Sequence, residues 1–385
     1  MLIPITNEPR DYSWGSHDLI AALTGRAPSA APEAEIWYGD HPGSPSLVTG
    51  GSARTLDAAL RDAGEAPLPF LMKILAAGSS LSIQAHPTKA QAVAGFAREE
   101  QAEVPRDAAD RLYRDDNHKP EIIVALSEEF RALVGLRPLD ATRRLLALLG
   151  DGPAVARLRG LLADEDEESA LRTALDWALT HATAVDVAEV TAALESAADS
   201  AETDAEFAEE VAVLRAAASD FSGDPGLFVA LLMNLVVLRR GEALFAPAGV
   251  LHAYQSGLGV ELMAASDNVL RGGLTPKHVD VPELLRVLDA TAEPAPLSPQ
   301  RQVARGVVEY ITPVADFALT RVELTGLAVS LPLRGPAIVL ATVGEVTVTA
   351  AGDTVLLRPT EAAYVAAADV TLTGTGEAFV AQPGA

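Results

Sequence analysis

Across 385 residues the chain has no cysteine, which excludes a disulfide framework, a thiolate zinc site and a cysteine nucleophile. Any metal must then be held by imidazole, carboxylate or amide oxygen. Histidine is scarce, with seven in all, so few imidazoles are available as ligands. Positive charge is also short: 29 Lys and Arg stand against 53 Asp and Glu, a formal net charge of -24. That argues against nucleic acid or an anionic membrane as partner, because affinity for either comes mainly from neutralised phosphates. A small phosphorylated ligand is still allowed, since screening over roughly 8 Å lets a few local cations bind an anion. No apolar run is long enough to span a bilayer; the longest, Leu227 to Leu238, is interrupted by Asn234 and is expected to be a buried helix. The start, Met1-Leu2-Ile3-Pro4-Ile5, has neither a basic region nor a long apolar stretch, so a soluble, cytoplasmic protein is expected.

The length suggests two to three domains, each able to bury a core. From Glu35 to Pro87 short extended segments are broken by Gly and Pro, as in Asp40-His41-Pro42-Gly43-Ser44-Pro45, and read as strands and turns. Between Pro138 and Arg240 the pattern turns helical: Arg143 to Leu149, Val185 to Ala198 and Asp204 to Ala218 are rich in Ala, Leu and Glu at helical spacing. The acidic run Asp164 to Glu168 fits a solvated helix start or loop. Strands return with Glu242 to Ala246, Val250 to Tyr254 and Val260 to Ala264. A linker-like Glu293 to Pro299 then precedes short runs such as Ala337 to Ala341, Val346 to Ala350 and Thr354 to Leu357, the spacing of a sandwich or jelly roll.

Two segments carry metal-ligand chemistry. Leu81-Ser82-Ile83-Gln84-Ala85-His86-Pro87 reads as a strand, on which alternation puts Ser82, Gln84 and His86 on one face. Gly241 to His252 fits G-x5-P-x-G-x2-H, which resembles the second signature of the cupin superfamily; its Pro and Gly turn the chain so that His252 starts a strand facing with Tyr254. The first cupin signature is altered, Gly78-x5-Gln84-x-His86, with an amide in place of the first imidazole. The usual nearby Glu is missing, and Glu121 in Asn117-His118-Lys119-Pro120-Glu121 is the displaced carboxylate. Taken singly each of these residues has an ordinary structural role; taken together they point to a metal site.

At this point the chain resembles the type I mannose-6-phosphate isomerases. The resemblance rests on Trp14-Gly15, Ala34-Glu35-Ile36-Trp37, Leu68 to Lys73, Leu81 to Pro87, Asn117 to Glu121 and Asp267 to Lys277, in family order over residues 5 to 280. It implies a mainly β protein with an α-helical insert: a catalytic zinc cupin from residues 1–137 and 241–292, a helical domain from 138–240, and a second cupin-like jelly roll from 300–385. That last part has no histidine after His278, so it is expected to be metal-free. The implied cofactor is one zinc per chain on Gln84, His86, Glu121 and His252, a ligand set that leaves net positive charge and hence Lewis acidity.

The implied reaction interconverts mannose 6-phosphate and fructose 6-phosphate through an enediol, feeding or draining GDP-mannose synthesis. Arg271 matches the family's catalytic arginine, a fixed charged fork for phosphate or oxyanion. Lys119 or His118 is expected to move the proton between carbons, and Asp267, with His86 or a bound water, to open the ring. Ser82, Lys89 and Lys277 are candidate phosphate contacts; Glu261, which with Asp267 flanks the arginine, is a further candidate substrate contact, and Tyr254 and Trp14 pack the pocket wall, Tyr254 against the substrate. His17, His41, His181 and His278 are expected to be structural or surface residues. The competing readings are a metal cupin of another chemistry, such as an iron or manganese dioxygenase or decarboxylase, and a non-catalytic sugar-binding cupin. A monomer is expected.

Overall fold

A computed structural model describes residues 1–50, 54–199 and 206–385. Among them are two antiparallel sheets, one of nine strands and one of ten, and ten helices. The nine-stranded sheet is organised by the long strand His252–Ala264. Its second half lies between Phe70–Ala77 and Glu121–Ala125, and its first half pairs with Glu129–Leu136 and Gln84–Ala85. Period-2 alternation then separates two surfaces. Ile36, Met72, Ile74, Ile122, Val124, Val260 and Leu262 join a core shared with Ile338, Leu340, Tyr364 and Phe379 of the other sheet, while Trp37, Lys73, Glu261 and Glu121 face a cleft.

Six helices, from Leu139–Leu148 to Gly226–Leu231, interrupt the strands as the composition predicted. The acidic run opens the helix Glu167–Thr180: Asp166 caps it by accepting from Ser169 N, and Glu167 and Glu168 sit in its first turn, where the helix dipole favours negative charge. Of the helix expected at 204–218, residues 204 and 205 lie outside the described residues, Glu206 and Phe207 form a turn, and 208–218 fall in the helix Ala208–Asp220. The helices bury Leu146, Leu158, Leu175, Leu194, Leu214 and Phe228 in one cluster with Ile83, Ala85, Leu251, Leu270 and Leu274. The insert therefore packs directly behind the segments that carry the candidate ligands.

Several expectations are corrected. Leu227 to Leu238 is not one helix: Gly226–Leu231 is helical, and Met233–Arg239 is a strand paired with Glu129–Leu136. Cross-strand pairing of the Val236-Val237 stretch overrides its local ambiguity. Leu81 to Pro87 is regular strand only at Gln84–Ala85, because its flanks bond irregularly, Leu81 N to Tyr254 O and Ile83 N to Gly273 O. The two strands expected at 250–254 and 260–264 are one, bent where the register shifts between Tyr254 and Ser256. Val250 and Leu251 precede it. Likewise Ala337–Ala350 is continuous, with its shift between Ala341 and Val343. The linker before residue 300 is tied down, with Phe245 N donating to Pro296 O and Ser298 N to Ala243 O. The first strand, Leu2–Thr6, pairs with Ala362–Val365 and with Leu47–Val48, so both N-terminal strands join the C-terminal sheet rather than the sheet of Glu35–Tyr38 and Phe70–Ala77. A helix at Leu56–Ala63 was not anticipated. No helix among the described residues is long and apolar enough to cross a membrane.

Besides the shared core, a buried carboxylate links the two sheets. Glu377, 8% exposed, accepts from Arg240 at 2.9 Å and Thr342 Oγ1 at 2.8 Å and lies 3.6 Å from Arg321. Arg240 in turn donates to Leu126 O. Removing Glu377 strands two guanidinium groups, so Glu377→Ala is expected to lower unfolding free energy in urea by about 1–3 kcal/mol; an unchanged value would contradict this role.

Candidate metal centre

Three buried side chains converge from three segments. His252 begins the long strand, directly opposite Gln84 in the antiparallel ladder, so both side chains share a face. Glu121 enters from the strand Glu121–Ala125 opposite Met263, and His86 follows Gln84–Ala85. One ligand atom from each of His86, Glu121 and His252 lies within 4.8 Å of the others. Nε2 of each histidine is 3.2 Å from a different Glu121 oxygen, yet neither makes a hydrogen bond.

The tautomers follow from the far side of each ring. His86 Nδ1 is 2.7 Å from Asn268 O and His252 Nδ1 is 3.1 Å from Val250 O. A carbonyl can only accept, so each Nδ1 carries the proton and each Nε2 presents a lone pair. Two lone pairs and a buried carboxylate, whose neighbouring donor is Lys119 rather than either ring, fit a cation. Gln84 lines the same cleft and adds a neutral oxygen donor. This arrangement of neutral imidazoles oriented by backbone carbonyls suits zinc. Asn268 itself is rigid: fully buried, it accepts from Arg114 N at 2.7 Å and donates to Asp115 O at 2.9 Å and Asn117 O at 2.8 Å.

Electrostatics agree with this arrangement. Burial lowers the His86 pKa to about 4 against the opposing pull of Glu121, which keeps the ring neutral and able to ligate. Burial pushes the Glu121 carboxyl up, but Lys119 and His86 outweigh it and hold the acid well below its ordinary range. Lys119 Nζ is 2.9 Å from Glu121 Oε1.

The cleft beside this cluster has a volume of about 640 Å³. It brings together Ser82, Gln84, Lys119, Glu121, His252, Tyr254, Glu261, Asp267, Arg271 and Lys277 of the residues singled out from sequence, and Trp14. Arg271 Nη1 donates to Ser82 Oγ at 2.9 Å. Burial lowers the pKa of Arg271, as does Arg114, and lowers that of Lys277, as do Arg271 and Arg114. These cations gather with no carboxylate paired to Arg271 or Lys277 among the described residues. Asp267 is held ionised mainly by the His41 hydrogen bond, with Nε2 at 3.2 Å, which gives His41 a role beside the cleft rather than a merely structural one.

Two candidates lie elsewhere. His118 does not line the cleft; its Nε2 is 2.8 Å from Asp316 Oδ2, 198 residues away. Its neighbour Lys119 points into the site, and adjacent residues before a proline in extended backbone project to opposite sides. Lys89 is exposed at the start of the helix Lys89–Gln101, bonded to Asn117 Oδ1 at 3.1 Å and 3.6 Å from Asp116. His17, His181 and His278 stay outside the cleft.

Sequence reasoning missed Lys73 and Glu35. Lys73 is buried between Glu261 at 3.2 Å and Glu35 at 3.4 Å, with its ammonium 4.7 Å from the Trp37 ring centre. Burial lowers its pKa, but Glu35 and Glu261 outweigh that and raise it overall. Burial raises the Glu261 pKa against the pull of Lys73. The available signal was a lone lysine inside the apolar strand Phe70–Ala77, since a buried charge in such a run requires a partner.

The model of the family described as phosphomannose isomerase type I, catalytic domain, matches residues 2–139. Over its length the chain is similar to the mannose-6-phosphate isomerase of Escherichia coli (strain K12), 35% identical over 396 residues that cover 98% of each. Among solved structures, a zinc-bound mannose 6-phosphate isomerase aligns with a TM-score of 0.88 at 32% identity, covering 100% of both chains. The Salmonella typhimurium mannose 6-phosphate isomerase bound to its substrate and to zinc does so with the same score, identity and coverage.

The buried neutral His86 makes the metal-free chain acid-sensitive. Between its ordinary value of 6.5 and its folded value of about 4 the unfolded chain binds a proton that the folded chain does not. Stability therefore falls as pH drops through that window, by on the order of 3 kcal/mol by its lower end. Glu121, lowered from 4.5, adds its loss only below that value. Urea unfolding of the chelator-treated protein between pH 7 and pH 4.5 should show this slope and His86→Asn should flatten it; equal slopes would contradict the assignment.

Proposed function

Because the chain belongs to the type I phosphomannose isomerases, we propose that Gln84, His86, Glu121 and His252 hold its zinc ion and that the adjoining cleft isomerises the sugar. The protein is a zinc-dependent aldose-ketose isomerase that interconverts D-mannose 6-phosphate and D-fructose 6-phosphate. The observation that carries the residue assignment is the convergence of two oriented, unpartnered Nε2 atoms on the Glu121 carboxylate. When bound there, zinc supplies a Lewis acid for a sugar oxygen.

The chain's own groups divide the remaining work. Arg271 and Lys277, unpaired beside Ser82, take the phosphate, and the planar fork of Arg271 also suits a developing oxyanion. Asp267, kept ionised by His41, accepts the anomeric hydroxyl proton as the C1–O5 bond breaks and passes it to the departing ring oxygen, so the ring opens with no net proton change. Lys119, in its neutral amine form, takes the proton from one carbon and returns it to the other, giving an enediol between aldose and ketose. Glu261, held as a carboxylate 3.2 Å from the Lys73 ammonium, accepts from a sugar hydroxyl, with Lys73 and Tyr254 fixing it. Tyr254 and Trp14 close the wall against water.

The same reading divides the chain into two cupin-like jelly rolls, residues 1–137 with 241–292 and residues 300–385, around a helical domain at 138–240. It is supported by six of the ten described helices falling between 138 and 240; the strand Met233–Arg239 would then belong to the first roll and Leu2–Thr6 be lent to the second. The second roll has no histidine and is read as metal-free. A cytoplasmic monomer acting on a hexose 6-phosphate, without nucleic acid or membrane as partner, completes the reading.

A coupled assay on mannose 6-phosphate is expected to lose activity on chelation and recover it with zinc rather than iron or manganese. Arg271→Lys should lower kcat/KM by about 10²-fold or more, since an ammonium cannot reproduce the fork. Absence of zinc-dependent turnover on any hexose phosphate would contradict the function, and full activity of Arg271→Lys would contradict its role.

A further inference from the structure

The segment that presents Arg271 and Lys277 is held from outside its own sheet. Asp224 lies in the turn between the helices Ala208–Asp220 and Gly226–Leu231. Its carboxylate accepts three backbone N–H groups: Oδ1 from Gly226 at 2.7 Å and Leu274 at 3.0 Å, and Oδ2 from Thr275 at 2.9 Å. Leu274 is fully buried with φ +51°, a left-handed conformation seldom adopted by such a residue. Strain of this kind persists only where the surroundings fix it.

The approach is close enough to need two glycines. Gly273 has φ +110°, and a Cβ on it would come 2.4 Å from Gly226 Cα; a Cβ on Gly226 would come 2.3 Å from Leu274 N. On its other side the segment is bonded to the strand end bearing Ser82, with Gly272 N donating to Ile83 O at 2.8 Å and Ile83 N to Gly273 O at 3.0 Å. The arm from Arg271 to Lys277 is thus clamped between Ile83 and a carboxylate of the helical insert. A second insert carboxylate, Asp220, accepts Ser80 N at 2.8 Å, two residues before Ser82.

We infer that Asp224 is a positioning residue for the phosphate end of the cleft: by holding Leu274 and Thr275 it sets where Arg271 and Lys277 stand relative to Ser82. It does not line the cleft itself. The helical insert then governs affinity for the phosphate, while the chemistry at the sugar carbons is left to Lys119 and the ligand cluster. This rests on the assignment of Arg271, Lys277 and Ser82 to the phosphate made above.

The test is steady-state kinetics on mannose 6-phosphate, with competition by inorganic phosphate, for zinc-loaded wild type, Asp224→Ala and Asp224→Asn. In Asp224→Ala the KM and the phosphate inhibition constant are expected to rise together by about tenfold or more, with kcat changed less than about threefold and zinc content unchanged. Asp224→Asn keeps the size and one acceptor oxygen, so it should shift both constants in the same direction by less; it serves also if the alanine variant fails to fold. Unchanged KM and inhibition constants in a folded variant, or a fall in kcat alone, would overturn the inference. Failure of phosphate to compete in the wild type would overturn the phosphate assignment and the inference with it, and shows before any substitution is made.

Discussion

The site depends on an arrangement of acceptors that an unmetallated protein has little reason to keep. His86 and His252 each spend their only N–H on a backbone carbonyl, and the nitrogens left over both face one buried carboxylate. Burying polar atoms without partners is costly. A fold that nevertheless turns two of them, from different segments, onto a carboxylate is built around something that accepts their lone pairs. Much else serves the same end: Asn268 locks the loop that orients His86, and the helical core braces Ile83, Ala85, Leu251 and Leu270 behind the ligands.

Charge is distributed to match. A chain with a net charge of -24 would repel a sugar phosphate if its surface acted uniformly, yet Arg271 and Lys277 line one cleft, with Arg114 close enough to perturb both. Short-range placement decides this, because screened surface charge fades within a Debye length whereas cleft charges act at contact. Lys73, in contrast, is neutralised by Glu35 and Glu261, so it orders the cleft wall rather than adding to its attraction for anions.

Legibility followed the range of the interactions. Ser82 and Gln84 face the cleft as alternation requires, and the turn before His252 could be read because Pro and Gly dictate it locally. The helical insert was evident from composition. What could not be read was set at a distance. His118 and Lys119 are sequence neighbours, but only the fold decides that one meets Asp316 and the other Glu121. The division of Leu227 to Leu238 into helix and strand was decided by Glu129–Leu136, about a hundred residues earlier. Asp224 carries no signal in the sequence, because the backbone donors it captures at Leu274 and Thr275 are 50 and 51 residues away.

The most direct test of the central claim is crystallographic: anomalous diffraction recorded on either side of the zinc absorption edge from protein purified without added metal. The account predicts one zinc peak per chain, bounded by His86 Nε2, His252 Nε2, Glu121 and Gln84. A peak elsewhere, or a fully ordered cluster whose Nε2 atoms are satisfied by water with no zinc in active protein, would contradict it.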